Sequence, residues 1–397
     1  MGFYQELAED YHEGMSKRAL NKLKSQIAKK YHLNNLPRDS DIMLASGLAI
    51  KSKTVRTLSG VAPIAVMTKP FPCKHGRCIF CPGGPSSYFG DVPQSYTGKE
   101  PSTMRAIRNN YDPYLIVFNR LEQYICLGHL PEKVEIIIQG GTFCSFPKEY
   151  QEEVIKYCFK ALNDFSGLFY INKQFNLNKF KEFFELPSDI HSEERIKRVK
   201  EKILLIKGDC ILENEQEKNE NANIRCIGLT IETKPDWGKL NEGNELLRLG
   251  CTRVELGLQS LYDNVLLFNH RGHDLNDSIE SLQLLKDLGF KVNAHYMLGL
   301  PLSTKEMDIE GFRIMFEDQR FRPDMLKIYP CLVIKGTPLY NLWQKGKYNA
   351  IDTKEAAEII AEGKRYIPEY CRIMRIQRDI PTHITDAGVN RTNLRQY

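Results

Sequence analysis

The sequence predicts an α/β fold, a partial (β/α)6 barrel of the TIM type with a helical N-terminal extension. Short runs rich in Val, Ile or Leu recur at Ile64–Met67, Val134–Ile138, Cys226–Ile231, Arg253–Leu258, Lys291–Tyr296 and Met325–Tyr329. Each has the length and composition of a buried strand. Helical periodicity fills the gaps, at Ser102–Gly128, Lys148–Leu162, Leu240–Leu249, Leu275–Leu288 and Lys305–Phe316. Repeated strand–helix units make parallel strands, in either a doubly wound sheet or a barrel. A third observation favours the barrel: polar signatures stand at the carboxyl ends of successive strands, the rim where such barrels carry their sites.

Taken in order, residues 1–60 read as helical and basic. Lys17, Arg18, Lys22, Lys24, Lys29 and Lys30 crowd one helical segment, followed by Arg38, Lys51, Lys53 and Arg56. Such a run is either a solvated helix face or a surface that tracks phosphates of a nucleic acid. Residues 61–345 carry the barrel. Within them, 163–223 break the alternation with a segment rich in Lys, Phe and Glu, ending in the polar stretch Glu213–Asn221. That stretch is too polar to pack and is expected to be a surface loop without chemistry. Residues 346–397 read as a helical or linker segment. They hold a second basic cluster, Arg365, Arg372, Arg375, Arg378, Arg391 and Arg395, with Tyr366 and Tyr370 interleaved.

The first strand runs into the most informative stretch of the chain, Pro72-Cys73-Lys74-His75-Gly76-Arg77-Cys78-Ile79-Phe80-Cys81-Pro82-Gly83-Gly84. Cys73, Cys78 and Cys81 are spaced C-x4-C-x2-C. Three thiolates cannot fill a four-iron cubane, since each iron needs an outer ligand. One iron would stay open to a substrate or cofactor. Zinc is the rival, with His75 as a fourth ligand, but His75 follows Cys73 too closely for an easy tetrahedral site. A disulfide framework does not suit a chain with eight further scattered cysteines and no signal peptide.

The remaining numbers set the class. Formal net charge is only +5 and 42% of residues are hydrophobic, enough for a sizeable core. No apolar run nears the roughly 18 residues that span a membrane. A reducing, cytoplasmic location is expected. The strand ends supply Gln139-Gly140-Gly141-Thr142-Phe143, Thr230-Ile231-Glu232-Thr233-Lys234-Pro235-Asp236, Val254-Glu255-Leu256-Gly257-Leu258-Gln259-Ser260, His295-Tyr296-Met297-Leu298-Gly299 and Lys327-Ile328-Tyr329-Pro330. Paired glycines admit a ligand close to the backbone, while buried Glu255 and Gln259 demand partners.

Together these strings resemble the radical S-adenosylmethionine (SAM) superfamily. More narrowly, the chain resembles the catalytic-subunit family of Elongator, tRNA wobble-uridine carboxymethyltransferases, in an archaeal or bacterial-like form. The carrying strings are Cys81-Pro82-Gly83-Gly84-Pro85, Gln94-Ser95-Tyr96-Thr97-Gly98, Met104-Arg105-Ala106-Ile107-Arg108, Tyr111-Asp112-Pro113, Arg271-Gly272-His273, Gly336-Thr337-Pro338-Leu339-Tyr340 and Arg378-Asp379-Ile380-Pro381. The superfamily's commoner cysteine spacing is C-x3-C-x2-C, and this family varies the first gap.

The resemblance implies roles residue by residue. Cys73, Cys78 and Cys81 would ligate a 4Fe-4S cluster whose open iron chelates SAM. Gly140 and Gly141 would line the methionine moiety, with Glu232, Glu255 and Gln259 as further SAM contacts, and Lys133 would touch acetyl-CoA. A 5′-deoxyadenosyl radical would take hydrogen from the acetyl methyl, and the carbon radical would attack C5 of the wobble uridine. Thioester hydrolysis would then leave a carboxymethyl group. Lys17, Arg18, Lys22, Lys24, Lys29 and Lys30 would meet phosphates of the anticodon stem-loop of tRNA. An electron donor is required, and a homodimer or Elongator-like partner subunits are compatible with the pattern. The family continues into an acetyltransferase-like domain, and this chain stops near where that domain's linker begins. The radical half is therefore expected to be intact and complete turnover with acetyl-CoA is not. Other radical SAM enzymes, such as a methylthiotransferase or porphyrinogen oxidase, and a non-catalytic RNA-binding scaffold are the alternatives.

Overall fold

The computed structural model describes residues 2–12, 14–48, 50, 57–188, 192–391 and 393–397. Lys51, Lys53 and Arg56 of the basic N-terminal run lie outside them. The chain divides into two compact units, Met1–Ile64 with Tyr114–Glu135 and Lys156–Ile227, and Ala65–Pro113 with Ile136–Ile155 and Gly228–Tyr397.

In the first unit, helices α1 (Phe3–Asp10), α2 (Lys17–Lys30) and α3 (Asp39–Ser46) close around Phe3, Leu7, Leu20, Ile27, Ala28, Ile42 and Ile50. Helix α2 starts at Ser16, whose hydroxyl accepts the Ala19 N–H at 3.2 Å, a side-chain N-cap. It buries Leu20, Lys24, Ile27 and Ala28, one stripe at helical spacing.

The insertion at 163–223 also belongs to this unit, and it packs. A hairpin pairs Tyr170–Ile171 with Gln174–Phe175, and helices follow at Leu177–Phe184, Glu193–Lys207 and Leu212–Glu220. Phe165 stacks edge-on against Phe169 at 4.6 Å between centroids, and Phe180 lies against Phe184 at 4.7 Å. Buried Arg195 donates to Glu122 Oε1 and to the Phe184 carbonyl, both at 2.6 Å. The surface loop expected over Glu213–Asn221 is instead largely helical, because its polar groups find partners. Glu215 accepts from Asn163 Nδ2 at 2.8 Å and from Lys218 Nζ at 2.7 Å. Asn219 donates to the Ile224 carbonyl at 3.1 Å and accepts the Cys226 N–H at 2.7 Å. Polarity alone is a poor guide here, since a satisfied buried amide costs little.

The main sheet has seven strands: β1 (Ala62–Met67), β2 (Lys133–Gln139), β3 (Arg225–Thr233), β4 (Arg253–Gln259), β5 (Lys291–Leu298), β6 (Met325–Pro330) and β7 (Arg372–Ile376). They neighbour one another in chain order, so the sheet winds one way, as a half barrel does, with none of the order reversal of a doubly wound sheet. Pairs from β3 through β7 are parallel. Their register sets Glu232 beside Glu255, Glu255 beside Asn293, and His295 beside Lys327. Strand β7 departs from the helical or linker reading of residues 346–397, although Thr353–Gly363 is helical. Its Arg-Ile-Met-Arg-Ile run is short and half polar, as an edge strand tolerates. Among the described residues no helix is long and apolar enough to cross a membrane.

Candidate cluster and cofactor site

The cysteine loop leaves β1 at its carboxyl end, inside the second unit. Local bonds shape it: Arg77 Nε donates to the Cys81 carbonyl at 3.0 Å and its Nη2 to that of Pro82 at 3.1 Å. The Ile79 N–H reaches the Asn269 carbonyl at 3.3 Å, and the Ile79 carbonyl accepts from the Leu339 N–H at 2.9 Å. Cys78 and Cys81 are buried and Cys73 is half-buried. Burial pushes the Cys73 thiol up to about 12, with Cys81 and Cys78 adding to the rise. A thiol so shifted stays protonated unless a metal claims it.

Groups beyond the loop reach its sulfurs or gather beside them. Cys81 Sγ lies 3.2 Å from Gln94 Oε1 and accepts the Ser95 N–H at 3.3 Å. After β2, Gly140 and Gly141 hold φ +128° and +120°, and a Cβ on them would stand 2.1 Å from Thr68 Oγ1 and 3.1 Å from Gln94 Cβ. Only glycine fits there. On β3, Glu232 accepts from the Tyr96 hydroxyl and from Gln139 Nε2, both at 3.3 Å. Burial raises its carboxyl to about 7, Glu255 adding to the rise and Lys327 opposing it. After β4, Arg271 Nη1 donates to Cys78 Sγ at 3.2 Å and Nη2 to the Gly257 carbonyl at 2.9 Å. Gln259, at a register shift in β4, holds φ +69°.

Glu255 is a different kind of carboxylate. Only 1% exposed, it accepts from Asn293 Nδ2 at 3.1 Å, faces His295 Nε2 at 3.1 Å and pairs with Lys327 Nζ. Burial works against its charge, yet Lys327 and His295 hold it well below the usual carboxylate range. Asn293, His295 and Lys327 thus hold it in place from the neighbouring strands.

The donor set matches the groups it is expected to hold. Among the described residues no three His, Cys, Asp or Glu side chains gather around one ion; a cubane instead asks each cysteine for its own iron. Two of the sulfurs already receive N–H donors, which suit thiolates. The buried oxygens Gln259 Oε1 and Thr68 Oγ1 have no partner, and a ligand bearing amino and hydroxyl donors would supply one. The residues fit.

Residues 73–310 match the model of the radical SAM superfamily, and 323–397 that of the radical SAM C-terminal domain. The chain belongs to the radical SAM superfamily. Within it, the chain is a member of the family shared by the archaeal tRNA uridine(34) acetyltransferases and Elongator complex protein 3. The Methanocaldococcus infernus tRNA uridine(34) acetyltransferase is 41% identical over 401 residues, 98% of this chain and 67% of that protein. Elongator complex protein 3 of Homo sapiens is 39% identical over 390 residues, 95% of this chain and 64% of that protein. The solved structure of Methanocaldococcus infernus Elp3 with residues 1–46 deleted superposes with a TM-score of 0.64 at 36% identity, over 85% of this chain and 61% of that one. This radical SAM chain thus spans about two thirds of the length of the curated relatives it matches.

Of the expected site residues, Cys73, Cys78, Cys81, Gly140, Gly141, Glu232 and Gln259 meet at one rim, linked through Gln94, Tyr96 and Arg271. Lys133 stands apart, exposed at the amino end of β2, whereas Gly140 follows the carboxyl end of that strand. On α2, Lys17, Arg18, Lys22 and Lys29 are exposed. Lys24 is buried and paired with Asp39 at 2.8 Å, and Lys30 is exposed but bonded to Glu6 at 2.8 Å. The C-terminal arginines are partly spent internally: Arg378 donates to the Ser95 carbonyl at 2.6 Å and Arg395 to that of Ile373 at 3.0 Å. Sequence reasoning does not single out Gln94, Tyr96, Arg271 and Lys327 as site residues. Arg271 has one signal, its place in the Arg-Gly-His string, and Gln94 and Tyr96 have another, the Gln-Ser-Tyr-Thr-Gly string; Lys327 has none beyond polarity at a strand end.

Proposed function

We propose that this chain is the radical SAM and RNA-contacting part of an enzyme that modifies the wobble uridine of tRNA, adding a carboxymethyl group from acetyl-CoA at C5. The observation that carries the reading is the three-cysteine loop at the end of β1, with hydrogen-bond donors on its sulfurs and a glycine pair beside it. One-electron cleavage of SAM at a cluster held there would supply a carbon radical able to take hydrogen from an unactivated methyl group. Cys73, Cys78 and Cys81 would hold the cluster, the backbone of Gly140 and Gly141 would admit the methionine moiety, and Gln259 and Glu232 would accept from amino and hydroxyl groups. The chain's own share is to orient the ligands and exclude water.

Exposed Lys17, Arg18, Lys22 and Lys29 support contact with RNA phosphates, and a splayed anticodon loop offers an unstacked base. Acetyl-CoA as co-substrate, Lys133 as its contact, an electron donor and Elongator-like partner subunits are carried by the family likeness. The test is anaerobic reconstitution with iron and sulfide, then SAM and dithionite. Iron and sulfide should load onto the cysteine loop and 5′-deoxyadenosine should accumulate. Protein that takes up only zinc, or loads fully and yields no 5′-deoxyadenosine, overturns the reading.

A further inference from the structure

His75 sits inside the cysteine loop and is not needed to complete it, since three thiolates already leave the intended corner open. Its ring is nonetheless placed with care. Nε2 lies 3.3 Å from Cys78 Sγ, and the residue is half-buried. Across from it Gly272 holds φ +67°, and a Cβ there would stand 2.4 Å from His75 Cβ, 2.9 Å from Cγ and 3.2 Å from Cδ2. The absent side chain at 272 makes the room in which the imidazole lies against the loop. Two independent features, a contact and a clearance, therefore fix one ring against one sulfur.

Cys78 also accepts from Arg271 Nη1 at 3.2 Å, whereas Cys81 accepts from a single backbone N–H, that of Ser95, at 3.3 Å. The hydrogen bonding is lopsided towards Cys78. Donors aimed at a ligating sulfur drain charge from it and favour the reduced cluster, the more negative state, so each raises the reduction potential.

We propose that His75 is a positioning residue that tunes the potential of the cluster, donating Nε2–H to the Cys78 thiolate so that a mild physiological reductant can load the electron. The inference rests on the proposed iron–sulfur reading and extends it: the imidazole is a donor to sulfur and not a fourth metal ligand.

The experiment uses the reconstituted full chain, with iron and sulfide content fixed first, and reads the midpoint potential by EPR-monitored redox titration. His75→Phe should lower the ratio of reduced to oxidised cluster at a given potential about tenfold, a midpoint ~59 mV more negative for one electron. His75→Gln, which keeps an N–H donor, should recover most of the shift. ENDOR should show one exchangeable proton coupling, removed by transfer into deuterium oxide, in the parent and in His75→Gln, and that coupling should be missing from His75→Phe. If His75→Phe fails to hold a cluster, Gly272→Ala takes its place: the added methyl must displace the ring, and the midpoint should fall in the same direction. A fully loaded His75→Phe or Gly272→Ala protein with an unmoved midpoint overturns the proposal and leaves the radical SAM reading standing. Failure of the parent chain to load iron at all overturns that reading instead.

Discussion

Replacing Lys327 by Met tests whether the buried charges in the barrel are as tightly matched as the geometry implies. Lys327 Nζ pairs with Glu255, the two side chains being 9% and 1% exposed. Methionine keeps an unbranched apolar chain and deletes only the charge. Glu255 would then be left with Asn293 and His295, and breaking a buried pair from one side costs about 3–5 kcal/mol. The loss should depend on pH. In the parent protein burial and Lys327 hold the His295 imidazole down at about 4, so it stays neutral and cannot serve as a second cation. Without Lys327 its pKa rises towards the lone carboxylate, and if it passes the ordinary value of about 6.5, acid favours the folded variant. The deficit of Lys327→Met should therefore shrink as pH falls from that raised pKa to about 6.5, and again from about 6.5 to about 4, where the parent loses stability by keeping His295 neutral. Glu255→Gln combined with Lys327→Met should regain most of the stability, with a coupling energy of at least about 2 kcal/mol. Urea unfolding of the metal-free chain by tryptophan fluorescence suits the purpose, because Trp237 and Trp343 both lie in the second unit. A deficit below about 1 kcal/mol for Lys327→Met, or strict additivity in the double variant, would show that the pair is not a buried ion pair.

Three shorter predictions follow from the same geometry. Glu232 has a folded-state pKa of about 7 against an ordinary 4.5, so stability should fall as pH rises from about 4.5 to about 7 and level off above. Glu232→Gln should remove that decline, gaining about 3 kcal/mol over the parent at pH 8 and almost nothing at pH 4; an equal gain at both, measured by urea midpoints, refutes it. Gly140→Ala forces a methyl against Thr68 and demands φ +128° of an alanine, which should cost at least about 1–3 kcal/mol and weaken SAM binding in calorimetry; normal stability and affinity would mean the glycine is incidental. Reversing Lys17, Arg18, Lys22 and Lys29 to Glu should weaken tRNA binding and flatten its salt dependence, the slope falling by about one for each phosphate left without its cation. Lys24→Ala should instead lower stability, and an unaltered salt slope in the reversed variant removes α2 from the RNA surface.

The barrel is legible because its signal is redundant. Six apolar runs at the right intervals survive an error in any one of them, and the carboxyl-end rim follows from parallel strands alone. The metal loop is legible for a similar reason, since its three ligands lie within nine residues, from Cys73 to Cys81. What stays hidden is whatever depends on a partner distant in sequence. Glu255 and Glu232 read alike in the sequence, and only the register that brings Lys327 to one of them tells them apart. Lys24 looks like its neighbours on α2 until Asp39 folds back onto it. The helix Leu212–Glu220 is invisible to a hydropathy reading because Asn163, some fifty residues earlier, supplies the bonds that allow it to pack.

Charge inside this barrel has no ready explanation in stability. Strand interiors of parallel barrels are usually filled by branched apolar side chains, and replacing a buried ion pair with such residues is often neutral or stabilising. Here two carboxylates stand side by side in register, roughly 4.8 Å between strands, with one buried lysine on β6. They cannot ionise equally. Glu255 takes the lysine and the charge, and Glu232, left with a phenol and an amide, holds its proton near neutrality. That asymmetry stabilises nothing by itself, and it coexists with the unpartnered oxygens Gln259 Oε1, Asn293 Oδ1 and Thr68 Oγ1 among the described residues. A fold selected for stability alone would have removed both. These groups lie on β3, β4 and β5 and just past β1, in the same sheet whose β1 and β2 lead into the cysteine loop and the glycine pair, which supports the proposed working face on the polar interior of the half barrel, with Glu232 and Gln259 as the proposed ligand contacts.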